Sequence, residues 1–292
     1  MGHSVLKGDP TFWENSEYSQ KTRNIIKVEK RCFMYPIDMC LKIFILYNLI
    51  YLVVSELASL VQTAIEKVNE TGAVILSLTC DNPSVNHSML NHLGANLSHK
   101  NLKCSLNCMN VLNIPIVATP DACHLMKLLR NCFGTYRVLK DKDGDTINWS
   151  YIEELEKIQF NEGFHLANKL RKKHVMWEKN KMSTVLALQV FSNSVADSLD
   201  FCRDVLKLKQ FEGSKATSTF LRKFNDIFDI LNSKSKFGKH LKSPLTQNDQ
   251  SFIDLFESTS QYIVGLRLAS DKSLIESSRS RAFVGLLVLG GV

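Results

Sequence analysis

Residues 73–94 read AVILSLTCDNPSVNHSMLNHLG, and the order of residue types in this stretch decides the fold. The run 73–79 is short, apolar and rich in β-branched side chains, which is the composition of a buried strand. It follows Gly72, the stop of a helix predicted over 55–69 from Leu57, Leu60, Val61, Ala64, Ile65 and Val68 at helical spacing. The strand ends in Cys80 and Asp81; Asn82, Pro83 and Ser84 make a turn, and 85–93 read as a short helix closed by Gly94. Helix, glycine, buried strand, carboxylate, helix is the order of an α/β fold. Open sheets place their chemistry at the carboxyl ends of strands, so Asp81 is a candidate catalytic and metal-binding residue. The competing reading makes Asp81 the cap of the helix that follows.

The surrounding composition is that of a globular chain. Its 292 residues are 45% hydrophobic, enough for a sizeable core and one or two domains. Lys plus Arg number 36 against 29 Asp plus Glu, a formal charge of +7 that favours polyanions such as nucleic acid or nucleotides; an ordinary basic surface has the same balance. Eight cysteines lack the dense framework of a small secreted domain and read as thiols. Cys104 and Cys108 have no second pair at finger spacing, which argues against zinc. The start, MGHSVLKGDP, has no apolar signal core, and the apolar run 43–54 is too short for a bilayer, so neither secretion nor a membrane is expected.

Upstream, residues 1–31 are polar and mixed in charge, and an arm of little order is expected there. Downstream, IPIVA at 114–118 is a second buried strand, and DACHLMKLLRNCFG at 121–134 is a helix. His124, Lys127 and Arg130 recur along it at three-residue steps, which makes them candidates for DNA or phosphate contact. A lone His in such a place is more often a packing residue. DKDGD at 141–145 is a hairpin-type turn without the downstream Glu of a calcium loop. Beyond Trp149 the strand signals stop, and helices are predicted over 151–162, 163–174, 182–208, 215–232 and 251–269. An all-helical block after an α/β start suggests an insertion or a second domain. The last run, RAFVGLLVLGGV at 281–292, reads as another strand.

Within the helical block, residues 216–233 read ATSTFLRKFNDIFDILNS. Ala216, Phe220, Leu221, Phe224, Ile227, Phe228 and Leu231 form one apolar stripe, and Asp226, Asp229 and Asn232 line its edge beside Phe228. An aromatic face, a carboxylate and an amide side by side suit a purine base; a solvated helix edge is the plain alternative.

Several blocks together resemble one family, the P element transposases of insects and the related THAP-finger transposases of animals. They are 73–94, 121–131 (DACHLMKLLRN), 149–163 (WSYIEELEKIQFNEG), 166–174 (LANKLRKKH), 181–199 (KMSTVLALQVFSNSVADSL) and 216–233, in family order, with RAFVGL at 281–286 resembling the return to the sheet. The resemblance implies a mostly helical α/β chain: an incomplete RNase H-like sheet interrupted by a large all-α insertion that binds GTP. In these terms 1–34 is an arm, 35–120 part of the RNase H-like region, 121–278 the insertion and 279–292 a shortened return strand.

It further implies Mg²⁺ held by three acidic residues for DNA cutting and joining, with Asp81 as the second of them. The first is expected upstream of 35 and the third, a Glu, beyond Val292, and no convincing strand with an Asp is legible in 1–29. The expectation is therefore a fragment or host-adopted derivative, catalytically incomplete by itself, in the nucleus, able to join DNA or a full-length relative. The family's guanine site resembles Phe228 as stacking partner and Asp229 and Asn232 as base readers, with Lys169 and Ser192 as further contacts. A carboxylate accepts both N1–H and N2–H of guanine, a pairing adenine does not offer. No GxxxxGK[ST] is present, so GTP would be held without a P-loop. The chain reads Lys181, Met182, Ser183, Thr184 where relatives often carry Lys-Met-Lys-Val, which removes one cation. The alternative function is a structural helical module that binds proteins and no nucleotide.

Overall fold

The computed structural model describes residues 26–30, 41–45, 53–81, 83–163, 166–233, 240–242 and 250–290. The arm expected over 1–31 lies outside them except for one strand. They divide into two compact units, one ending at Asp121 and the other running from Ala122 to Gly290.

In the first unit, β1 (Ile26–Lys30) and β2 (Leu41–Ile45) form an antiparallel ladder with Ile26 opposite Ile45. Helix α1 (Val54–Glu70) buries Leu57, Ala58, Val61 and Ile65, one face of its 3.6-residue period. The Val53 amide donates to the Glu56 carboxylate at its start (3.2 Å), and Gly72, at φ +76°, takes the left-handed turn beyond its end. Strand β3 (Ser77–Cys80) follows, then α2 (Ser84–His92), β4 (Ser105–Met109) and β5 (Pro115–Pro120). The sheet order is β3-β5-β4, with β3 parallel and β4 antiparallel to the central β5. Leu78, Ile116 and Ala118 are fully buried in it. Strand β4 carries little strand signal of its own: SLNCM is short and half polar, and only Leu106 turns inward.

The second unit opens with α3 (Ala122–Tyr136), followed by the hairpin β6 (Val138–Lys140) and β7 (Thr146–Asn148). Its turn is the expected one: the Asp141 carboxylate accepts from the amides of Asp143 (3.0 Å) and Asp145 (2.9 Å). Then come α4 (Ser150–Glu162), α5 (Lys172–Val175), α6 (Thr184–Val190), α7 (Asn193–Asp200), α8 (Lys215–Leu231), α9 (Gln250–Gly265), the two-residue strand β8 (Arg267–Leu268) beside β6, and α10 (Arg281–Gly290).

Helix α8 is the axis of this unit. Phe220 meets Phe133 of α3 with ring centroids 5.0 Å apart, and Phe133 meets Trp149 edge-on at 5.2 Å. Phe224 packs edge-on against Phe220 (4.7 Å), Phe191 (6.1 Å) and Phe283 of α10 (6.1 Å). Each of these rings is fully buried, and such pairs add about 0.5–1.5 kcal/mol beyond area burial.

Three sequence expectations change. The helix predicted over 182–208 is two helices with a break at Phe191–Ser192, then a π-helical turn over Phe201–Val205. The Ser192 hydroxyl donates to the Gln189 carbonyl (2.8 Å), and Ser and Asn side chains that compete for backbone groups favour helix ends over interiors. Over 163–174 only Lys172–Val175 is helical, because Gly163, at φ +70°, terminates α4 and the Gln159 side chain takes the Ala167 amide (2.6 Å). Finally, 281–290 is a helix, not the expected return strand. A uniformly apolar run has no period to separate the two, and a helix satisfies its own backbone. Ala282, Phe283, Leu286 and Val288 are buried, against α3 and α9 among others, so this segment belongs to the helical unit.

A tight contact tests this packing. A Cβ on Gly134 of α3 would run into the Trp177 indole. Gly134→Ala gains about 1 kcal/mol of helix propensity but overpacks by about 1–3 kcal/mol. Denaturant titration is expected to show a net loss of stability, and an increase would mean that Trp177 does not seat there.

Candidate functional site

The strands of the first unit deliver carboxylates side by side. Cys80 is opposite Pro120 in the parallel β3–β5 pair, so Asp81 and Asp121 step off neighbouring strand ends together. The ends are pinned: the Asp121 amide donates to the Cys80 carbonyl (3.0 Å), the Thr79 and Thr119 hydroxyls bond at 2.7 Å, and the Asn86 amide donates to the Asp81 carbonyl (2.9 Å). The Asp81 side chain is exposed. Burial, aided by the charges of Asp81 and Asp121, pushes the Cys80 thiol up to about 12, so it is no nucleophile at neutral pH. Asp121 is a carboxylate that the sequence reading assigned only to a helix start. The metal implied for Asp81 finds no further support here: among the described residues no three His, Cys, Asp or Glu side chains are grouped to hold an ion.

On α3, His124 and Lys127 are half-buried, whereas Arg130 is fully buried. Its guanidinium donates to Asn131 Oδ1 (2.8 Å) and to the carbonyls of Asn180 (2.8 Å) and Lys181 (3.2 Å). Burial brings its pKa down to about 10. It is a strut under the 177–181 turn, closed to a DNA phosphate, so the contact expected of it from its spacing is corrected. Helical spacing fixes which residues share a face but not how deep that face lies.

The residues implied for the base, Phe228, Asp229 and Asn232, stand at the carboxyl-terminal end of α8, the helix along which α7 packs. Phe228 and Asp229 stand in the last turn of α8, and Asn232 is its exposed C-cap residue. Phe228 is 9% exposed, so only a rim of the ring reaches the surface, less of a platform than the sequence suggests. The Asp229 side chain is 23% exposed, with Oδ2 accepting from Asn225 Nδ2 (3.3 Å) and Oδ1 lying 3.4 Å from Lys242 Nζ. Asn225 also donates to Asp226 Oδ1 (3.3 Å), so one amide clamps both carboxylates.

Across the seam, the Asn193 side chain at the start of α7 lies close enough to the Asp226 carboxyl to favour its charged form. This sets Ser192, the N-cap residue of α7, beside the acidic edge of α8. From Ser192 the connections run back to the segment that carries Lys169. Ser192 bonds to the Gln189 carbonyl, and Gln189 Oε1 meets Nε2 of the buried His174 at 2.8 Å. His174 Nδ1 accepts the Arg171 amide (2.9 Å), so Nε2 carries the proton and donates to Gln189. Lys169 itself is exposed on that segment, between the buried Ala167 and Leu170. Asn193, His174, Gln189 and Lys242 were not singled out from sequence, since each acts through a partner remote in the chain, and Asn225 was not because nothing in the helical spacing marks it as a clamp.

Burial, the largest cause, raises the pKa of Asp226, and the Asp229 charge adds to it. A carboxyl whose folded pKa exceeds its unfolded value binds its proton more tightly when folded. Its contribution is fully present below the unfolded pKa and is lost as pH rises through the folded one. Asp226→Asn keeps an acceptor for Asn225 and carries no charge. Thermal melts from pH 3 to 7 are expected to show a smaller decline of Tm for this variant above the ordinary carboxylate range than for the parent; equal profiles would show that Asp226 is not strained by burial.

Comparison with known proteins agrees with both units. The family described as TNP-like, GTP-binding insertion domain matches residues 123–244, and the TNP-like RNase H N-terminal domain matches residues 16–94. The human DNA transposase THAP9 is 30% identical over 241 residues, a match that takes in 79% of this chain and 25% of that protein. The chain thus spans about a quarter of the length of this curated relative. Among solved structures, the Drosophila P element transposase strand transfer complex aligns with a TM-score of 0.66 at 21% identity, over 80% of this chain and 50% of that one, a likeness of fold. In both units the chain thus matches P element-type transposases: the TNP-like RNase H N-terminal domain in the first and the domain described as TNP-like, GTP-binding insertion in the second.

Proposed function

We propose that the helical unit binds GTP at the α7–α8 seam, with Asp229 reading the guanine. The observation that carries this reading is the placement of Asp229: a partly exposed carboxylate at a helix end, its oxygens oriented by Asn225 and Lys242, next to the Ser192 turn. All five residues drawn from the resemblance, Lys169, Ser192, Phe228, Asp229 and Asn232, lie inside the match to the GTP-binding insertion domain. Asp229 accepts N1–H and N2–H, Asn232 adds an amide at the base edge, and the rim of Phe228 borders the ring. Ser192 and Lys169 meet ribose, carbonyl or phosphate oxygens. Nothing in the donor set activates water, so the nucleotide is held and not hydrolysed.

Binding of this kind stabilises the fold by mass action, by about 2.7 kcal/mol at a ligand concentration near 100 Kd, which raises Tm by several degrees for a unit of this size. GTP is expected to give the shift, ATP to give little, and Asp229→Ala to abolish the GTP effect. Equal shifts with both nucleotides would reject guanine reading. Absence of any shift, with a protein partner recovered instead, would favour a structural helical module.

We propose also that the chain acts beside DNA in the nucleus, with His124 and Lys127 of α3 as phosphate contacts, as a transposase derivative that assembles with a full-length relative. The basic balance of the chain and the transposase relative support the choice of polyanion. Of the three metal-binding carboxylates that the resemblance implies, the 292 residues supply one clear match, Asp81. A nicking assay on duplex DNA with Mg²⁺ is therefore expected to show no cleavage by this chain alone; Mg²⁺-dependent nicking that Asp81→Asn removes would overturn that part of the proposal.

A further inference from the structure

The residue that the family comparison does not assign, and that the geometry singles out, is Lys242. It closes a short 3₁₀ turn, His240–Lys242, that packs on the end of α8. The turn is tied down by the Ser233 hydroxyl, which donates to the Lys242 carbonyl at 2.6 Å. Its ammonium lies 3.4 Å from Asp229 Oδ1, while the other oxygen, Oδ2, faces Asn225. The Lys242 side chain is 64% exposed, so the contact with Asp229 is worth little as a stabilising ion pair. Its position along the carboxylate is more informative than its strength.

The Watson–Crick edge of guanine presents, in a row, the N2–H donor, the N1–H donor and the O6 acceptor. A carboxylate meets the first two with its two oxygens, and a donor beside the oxygen that takes N1–H then falls opposite O6. The Lys242 ammonium lies at the Oδ1 end of the carboxylate and the Asn225 amide at the Oδ2 end, which leaves Oδ2, Oδ1 and the ammonium to match that row. We propose that Lys242 is a specificity-determining residue that donates to guanine O6, completing an acceptor–acceptor–donor edge with Asp229. Adenine is then rejected twice: its N1 lone pair faces a carboxylate oxygen and its N6 amino group faces the ammonium. The assignment leaves Lys169 for phosphate oxygen. It rests on the GTP reading above and deepens it.

The test uses the full chain, with Lys242→Met and Lys242→Arg, titrated calorimetrically with GTP, guanosine and ATP. Loss of a charged hydrogen bond is expected to weaken GTP and guanosine alike by about ten- to hundredfold in the Met variant, with partial recovery in the Arg variant. The Met variant's GTP preference over ATP falls with it. Weakening of GTP with guanosine unchanged would place Lys242 on phosphate and overturn the proposal. Unchanged or tighter binding of both guanine ligands would also overturn it, the second by showing that Lys242 competes with the base for Asp229. Failure of the parent chain to bind either guanine ligand rejects the GTP reading itself, a result distinct from these. The exposed position of Lys242 makes both variants compatible with folding, which the Tm of each checks.

Discussion

The aromatic stripe of α8 is the constraint from which the helical unit follows. Phe220 and Phe224 are fully buried and touch rings from α3, from the end of α6 and from α10, so α8 has one rotation about its axis that fills the core. Once that rotation is set, residues 225, 226 and 229 have no freedom of their own: they lie along the flank of the stripe, facing α7 or solvent. The acidic edge is thus positioned by apolar packing. It is adjusted by a few polar bonds, of which the Asn225 clamp on Asp226 and Asp229 is the clearest.

The other parts of the proposed site stand at breaks in helices. Lys169 lies between the Gly163 terminus of α4 and the short α5, Ser192 between α6 and α7, and Asn232 at the end of α8. Helix termini leave backbone donors and acceptors unmatched, and these must be met by side chains, water or ligand. The Ser192 hydroxyl on the Gln189 carbonyl, His174 on the Arg171 amide and Gln189, and Gln159 on the Ala167 amide meet several of them. Those same bonds fix where the breaks fall.

The parts legible in sequence were those with a strong period or strong punctuation. Helix α8 announced itself by its stripe, α1 by its stripe and Gly72, and the hairpin turn by DKDGD. The strand ending at Asp81 was marked by its β-branched run, although it begins at Ser77 and not at Ala73. Where periodicity was weak or uniform, the reading missed. A continuous apolar run at 281–290 fits strand and helix alike, and tertiary surroundings chose helix. Ser192 interrupts a pattern that reads as one helix from 182 to 208, because a single hydroxyl bond to a carbonyl leaves no mark on hydrophobic spacing. Arg130 and Lys242 show the same gap at the level of function. Their roles come from carbonyls and a carboxylate some 50 and 13 residues away in sequence, distances over which a local pattern carries no information.

The two units also place their carboxylates by different physics. At the tips of β3 and β5, Asp81 and Asp121 are neighbours because parallel strands in register end together, and their combined charge is felt by the buried Cys80 between strand and solvent. At the end of α8, Asp226 and Asp229 are neighbours because they are three residues apart on a helix, and amides and a lysine offset their mutual repulsion. A helix-edge carboxylate flanked by an amide and an ammonium is suited to a neutral hydrogen-bonding edge such as a base, because its charge is already balanced. Every residue of that second arrangement comes from within the helical unit.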